Sequence, residues 1–340
     1  MPISAHRAAQ HVALSVLALA SLVVAGLPGT TSAAPLPAPA RAAIDERPPP
    51  GPAALLDASF PPALPVTDGV LREHEPKLVP HRPPSYFAHA QVVSVYGHPG
   101  FPVMGELGAH DPDGAVAHAK ALARQYDALN GPRDVIAALH LIVDVAQASP
   151  QSDRSYLAQM PLERIDEYVE VARRTGVLLF IDLQIGWADP LATVERVRHL
   201  LREPFVHLAL DPEFATRGRG AAPGVVIGTL DAVDINRVQR SLAELVRAHE
   251  LPPKILVIHQ FLVEMISNAH AIERLPEVEV TIDMDGFGPP PPKIGGYQRY
   301  AMAEYAERAA IKLFYHWDLP LMTPEDVIAL PRIPDYVIYQ

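Results

Sequence analysis

Val206-His207-Leu208-Ala209-Leu210-Asp211-Pro212-Glu213 runs a short apolar stretch into two carboxylates and a proline. Four other segments have the same form: Val92-Val93-Ser94-Val95-Tyr96-Gly97-His98, Val177-Leu178-Leu179-Phe180-Ile181-Asp182, Ile255-Leu256-Val257-Ile258-His259 and Val278-Glu279-Val280-Thr281-Ile282-Asp283-Met284-Asp285. Each has the length of a buried strand, ends on an ionisable side chain and leads into a helical pattern. A parallel sheet covered by helices puts all strand C-termini at one end, so these side chains converge there. The repeat therefore predicts an α/β fold with one polar site at one mouth of a barrel.

Working outward, strands are expected at 91–97, 135–144, 177–183, 206–212, 254–260, 278–284, 309–316 and 335–340. Helices are expected near 113–130, 161–175, 190–203, 231–250, 262–275, 295–308 and 323–330. Several boundaries carry their own chemistry. Asp231 stands at the start of one helix and Leu251-Pro252-Pro253 stops it, while Pro161 opens another that Thr175-Gly176 closes. Eight strands over roughly 250 residues fit a (β/α)₈ TIM-like barrel that ends on its eighth strand. An open doubly wound sheet is the competing arrangement. To bind a nucleotide it would need a Gly-rich phosphate turn after the first strand, and Gly97-His98-Pro99-Gly100 does not have the G-x-G-x-x-G spacing.

The barrel domain is expected over 89–340, behind two segments of different composition. Residues 1–33 read as a signal peptide, with an apolar run from Val12 to Leu27 and Thr31-Ser32-Ala33 as the cleavage site. The run is shorter than the roughly 20 residues of a spanning helix, so no stable membrane insertion is expected after cleavage. Residues 34–88 are rich in Pro and Ala and read as a linker or a strap over the domain. The expected location is extracellular or in the cell envelope of a bacterium. The chain has no cysteine, which excludes disulfides and a lipidated Cys, so stability must come from the core. A net charge of -11 without a basic patch argues against a nucleic-acid partner.

Asp211 and Glu213 are the strongest candidates for chemistry. Residues two apart on a strand share a face, and two carboxylates held together oppose each other's ionisation, which prepares one as a proton donor near neutral pH. The plainer reading is a strand-end acid that caps the next turn or pairs with Arg217 or Arg219. Asp283, inside an apolar strand, needs a partner or a function because an unpaired buried carboxylate costs several kcal/mol. Asp285 precedes Gly286 and serves a turn equally well. Asp182 and Gln184, then His259 and Gln260, end two further strands. His98 and His316 follow the first and seventh. His140, with Asp144 beyond it, and Lys312 lie within strands; His140 and Lys312 read as structural. Trp187 and Trp317 fall just beyond strand ends, joined by Tyr96, Phe214, Phe261 and Phe287. Aromatic faces beside carboxylates suit sugar rings, although they suit a hydrophobic lid as well. Gly286-Phe287-Gly288, the four prolines 289–292 and Gly295-Gly296 read as a stiff strut between flexible ends.

On these residues the chain resembles secreted glycoside-hydrolase-like (β/α)₈ proteins. Asp211-Pro212-Glu213 is similar to the end of the chitinase-type strand signature, although His207 and Ala209 occupy the positions of its earlier acids and the sixth strand lacks a Tyr-Asp pair. The resemblance implies Glu213 as the acid and Asp211 as the residue that orients it. The chain also resembles uncharacterised secreted bacterial proteins with a His-Gln-Phe strand end, here His259-Gln260-Phe261, a likeness that implies no activity.

The expected function is hydrolysis of a carbohydrate or other small polar substrate without a cofactor. Glu213 is the general acid/base, Asp211 its pKa partner, and Asp283 or Asp285 the nucleophile or stabiliser. Asp182, Gln184, His259, Gln260, His98, Trp187, Trp317 and His316, with Asp285, would bind substrate. Two alternatives remain open. One is a hydrolase or isomerase dependent on a divalent metal, drawing three to five ligands from His98, Asp182, Asp211, Glu213, His259 and Asp283. The other is a non-catalytic barrel with a glycan- or envelope-binding mouth.

Overall fold

The computed structural model describes residues 83–340, so the expected signal peptide and most of the Pro-rich segment lie outside the described residues. Eight parallel strands form the barrel: β1 (Ala90–Gly97), β2 (Asp134–Ala146), β3 (Leu178–Gln184), β4 (Val206–Asp211), β5 (Lys254–Gln260), β6 (Val278–Met284), β7 (Arg308–Leu313) and β8 (Tyr336–Tyr339). Each pairs with the next in parallel, and β1 pairs with both β2 and β8, which closes the sheet on itself. This is the (β/α)₈ barrel that the alternating pattern predicts.

The pleat sorts the side chains into two apolar layers. Outward residues such as Val93, Leu139, Ile181, Leu208, Ile258 and Ile282 pack under the helices. Inward residues, among them Val92, Ala138, Phe180, Ala209, Val257, Ala310 and Tyr336, fill the interior. At the N-terminal end of the barrel a 3₁₀ turn, Tyr86–Ala88, carries Phe87 into the interior cluster. Arg308, paired with Glu279 at 2.6 Å, lies over the Phe87 ring. The lower end is therefore closed by packed side chains and an ion pair, which leaves the C-terminal end as the open mouth.

Helix boundaries follow the local chemistry. Helix α1 (Pro112–Asp127) is capped by Asp111, α3 (Pro190–Val197) by Asp189 and α4 (Ala232–His249) by Asp231, each side chain accepting a first-turn N–H at 2.7–3.0 Å. Between them, α2 (Leu162–Thr175) stops at Gly176, whose φ of 70° is left-handed.

Two expected helices differ. The stretch 262–275 forms 3₁₀ turns at Val263–Met265 and Ala269–Ala271 around a short strand, Ile266–Ser267, which pairs with Leu230–Asp231. Ser267 Oγ and Asn268 Nδ2 donate to Asp231 Oδ2 at 2.7 and 2.6 Å, and Asn268 has a φ of 54°. These local bonds compete with a helix and win. The helix expected at 295–308 instead begins in the proline run as α5 (Pro290–Gly296) and ends in a π turn, Tyr297–Ala301. Proline lacks an N–H that the first turn does not need, so the expected strut is a helix start. A short last helix, α6 (Pro324–Ile328), carries a capping box between Thr323 and Asp326. Among the described residues no helix is long and apolar enough to cross a membrane.

Candidate functional site

Register and parity bring the strand-end acids to one place. His259 on β5 pairs in register with Asp283 on β6, and Gln184 on β3 with Asp211 on β4. His259 is buried and touches three carboxylates: its Nδ1 lies 2.9 Å from Asp283 Oδ2 and 3.3 Å from Asp285 Oδ2, and its Nε2 lies 3.3 Å from Asp182 Oδ2. His140 Nε2 approaches the same Asp182 oxygen at 3.4 Å. Above this layer a cavity of about 810 Å³ opens at the C-terminal mouth. Its polar wall includes Gln184, Asp211, Glu213, Asp285 and Lys312.

The two principal acids are held differently. Asp211 ends β4, and its Oδ1 accepts the Glu213 N–H at 3.0 Å, so it caps the 3₁₀ turn Pro212–Phe214. Glu213 has left the strand and projects from that turn, half-buried, into the cavity wall. Burial, reinforced by the charges of Asp211 and Asp285, raises its pKa well above the usual glutamate range. Burial also pushes Asp211 up to about 7. Asp285 has the opposite fate: burial opposes its charge, but Lys312 Nζ at 3.0 Å from Oδ1 and the adjacent His259 outweigh it and lower its pKa. The cavity wall thus carries two carboxyls whose proton affinity is raised, Glu213 and Asp211, and one favoured as the anion, Asp285.

The layer below is more tightly held. Burial works against an ionised Asp182, yet the charge of His259 and the close His140 and His259 rings keep its pKa below the carboxylate range. Burial would also lower His259, and Asp182 and Asp285 raise it instead. Asp283 lies in this layer and does not form part of the cavity wall.

The remaining candidates divide by position. Gln184 lines the cavity while its Oε1 accepts the Ala146 N–H at 2.7 Å. Trp317, 40% exposed, forms part of the wall near Phe287, with Tyr96, Phe214 and Phe261 elsewhere on it. Gln260 does not face the mouth: one residue from His259, it points to the opposite side, donates to the Leu262 carbonyl at 3.2 Å and accepts from Tyr305 at 2.8 Å. Trp187 is turned away because its indole N–H is shared between Thr216 Oγ1 and the Ala221 carbonyl, and its ring packs on Tyr156. His98 folds back on the Pro99 carbonyl at 3.1 Å and meets Phe101 edge-on, outside the cavity. His316 is exposed and is not part of the wall. Asp144 faces outward, because a bulge between Ile142 and Asp144 sets it beside Leu183, and it pairs with Arg196 of α3.

Sequence reading alone set Lys312 and His140 aside. Lys312 is fully enclosed, its Nζ 3.5 Å from the centre of the Tyr96 ring and bonded to Asp285. The available signal was the cation itself: an ammonium in an apolar strand needs a buried anion. For His140 it was parity, which puts it on the inward face with Ala138 and Ile142.

No family model and no curated protein sequence matches the chain. Among solved structures it is similar to a broad-specificity endoglucanase from an uncultured bacterium, at 10% identity and a TM-score of 0.38, covering 77% of this chain and 90% of that one. It is also similar to concanavalin B, at 10% identity and a TM-score of 0.37, covering 75% of this chain and 94% of that one. Likeness of that degree says nothing about chemistry.

Proposed function

We propose that the protein is a secreted hydrolase of glycosidic bonds, with Glu213 as general acid and Asp285 as the opposing carboxylate. One observation carries this reading: Glu213 and Asp285 share the wall of one aromatic-lined cavity, the first next to Asp211, which caps its turn, and the second bonded to Lys312 at 3.0 Å. Glycoside hydrolysis needs that asymmetry, a protonated acid at the leaving oxygen and an anion at the sugar carbon. Glu213 gives its proton to the glycosidic oxygen as the C–O bond breaks. Asp285 either attacks the anomeric carbon or takes a proton from the water that does. Asp211 stays beside Glu213 as its positioning residue, held there by the 3.0 Å bond to the Glu213 N–H. Asp283 acts through His259 and does not touch substrate. The Val12 to Leu27 apolar run supports export.

Incubation of the full chain with a panel of oligosaccharides, read by release of reducing ends, tests the assignment. Glu213→Gln and Asp285→Asn are each expected to lose about 10²–10⁴-fold in kcat, the usual contribution of a positioned acid or base. The anomer formed first, followed by NMR, separates direct attack by Asp285 from water activation. Full activity in Glu213→Gln sinks the assignment. Sugar binding without turnover by the wild type favours the non-catalytic reading.

A further inference from the structure

The layer beneath the cavity contains a geometry that the acid/base reading does not use. His140 Nδ1 lies 2.9 Å from the Tyr336 hydroxyl, which donates its own proton to Ser94 Oγ at 2.8 Å. Tyr336 can therefore only accept from His140, so the His140 proton sits on Nδ1. His259 Nδ1 faces the Asp283 carboxylate at 2.9 Å and must also carry a proton. With both rings neutral, each Nε2 then has a lone pair aimed at the Asp182 carboxylate, itself an acceptor; in the ion-free protein a second proton on His259 takes up this gap. All three side chains are fully buried, and neither Nε2 nor either Asp182 oxygen makes a well-formed hydrogen bond. Three acceptors converging in a dry interior repel one another unless something positive lies between them.

We propose that His140 Nε2, His259 Nε2 and Asp182 form a binding site for a divalent first-row metal ion of the Zn²⁺ type. Metal–ligand distances of about 2.0–2.1 Å place neighbouring ligands of a tetrahedral ion roughly 3.3–3.4 Å apart. Asp182 Oδ2 lies 3.4 Å from His140 Nε2 and 3.3 Å from His259 Nε2. Each imidazole also has the outer partner that metal-bound histidines use to fix their tautomer, Tyr336 for one and Asp283 for the other. The charges agree. Asp182, Asp283 and Asp285 all touch His259, and Lys312, bonded to Asp285, is the cation that answers them. A proton on His259 Nε2 leaves this group at a net single negative charge, whereas a divalent ion brings it to zero. Three protein ligands leave a fourth position for water. The ion would fix His259 against Asp285 and so orient that carboxylate from below.

The test is metal binding, independent of turnover. The full chain is stripped with chelator and reloaded with Zn²⁺ or Co²⁺, then measured by elemental analysis and, for Co²⁺, by its visible absorption. The expected result is about one ion per chain with the intense absorption of tetrahedral Co²⁺. Asp182→Asn and His140→Gln should lose it. Tyr336→Phe, which keeps every ligand and removes the hydroxyl that joins His140 to Ser94, should weaken binding roughly 10–100-fold and covers the case in which a ligand variant does not fold. A surface cluster of Glu106, His110 and His118 is the rival site, so the double variant His110→Ala/His118→Ala should leave the stoichiometry unchanged. The proposal is overturned if the reloaded chain holds no stoichiometric metal. It also fails if binding disappears in the double surface variant and persists undiminished in Tyr336→Phe.

Discussion

Replacing Lys312 with methionine removes one positive charge from the wall of the cavity while keeping most of the side chain's bulk. In the native protein that ammonium bonds Asp285 at 3.0 Å and lies 3.5 Å from the centre of the Tyr96 ring. Removing one partner of a buried pair leaves an uncompensated charge, a loss of about 3–5 kcal/mol. For a domain of this size each kcal/mol shifts Tm by roughly 2–4 °C, so a fall of about 6–20 °C is expected. The pH dependence follows from Asp285. Lys312 helps to hold its folded pKa below the unfolded value. The stability it contributes is therefore present above the unfolded carboxylate pKa and lost as pH falls through the lowered one. The gap between wild type and Lys312→Met should be widest near neutral pH and narrow toward acid. Urea unfolding of wild type, Lys312→Met, Asp285→Asn and the double variant, at several pH values, measures it. The double variant should recover much of the loss, with a coupling of about 2–3 kcal/mol. A loss below about 1 kcal/mol, or a cycle in which the two effects simply add, would refute the pairing as the reason for Lys312.

Activity that depends on protonated Glu213 should hold through neutral pH and decline as pH climbs through its raised pKa; Asp211→Asn removes a charge that raises it, so the alkaline limb of a pH–rate profile should move to lower pH. Lys254 is buried between the Glu203 and Val206 carbonyls at 2.7 and 2.8 Å, and burial lowers its pKa to about 7 from an ordinary value of 10.5. Between those values the folded state binds fewer protons than the unfolded, so stability rises with pH by up to about 1.4 kcal/mol per unit, and Lys254→Met should flatten that rise in denaturant titrations. Trp317→Ala, at a 40%-exposed ring on the cavity wall, should raise KM several-fold on a responsive oligosaccharide while shifting Tm little; an unchanged KM would remove Trp317 from the binding surface.

The barrel was legible because its strands are buried on both faces, and continuous apolar runs such as Ile255 to Ile258 have no other ready explanation. The crossover after β5 was not, because its apolar residues serve a small two-stranded pairing held by Asp231 rather than a helix stripe. At the mouth, Asp211, Asp285 and Gln184 could be placed by parity. Glu213 reaches the same cavity by a different route, through the turn that Asp211 caps. Parity also decides Gln260, since neighbours on a strand point to opposite sides. Trp187 could not be placed from spacing, because its direction depends on Thr216 and Ala221, 29 and 34 residues away in the chain. His140 and Lys312 each look like a lone polar residue in an apolar strand, and their roles emerge only when other strands supply Asp182 and Asp285.

The bulge in β2 sets the composition of this charged layer. Ile142 and Val145 both face the interior, and the two residues between them, Val143 and Asp144, both face out. Asp144 is thereby delivered to Arg196 on α3, with its pKa pushed up to about 6 by burial. If the same sequence alternated regularly past Ile142, Asp144 would face inward and join the interior acids. A backbone irregularity of one residue thus works as a charge filter, admitting His140 to the centre of the barrel and turning the acid four positions later out of it.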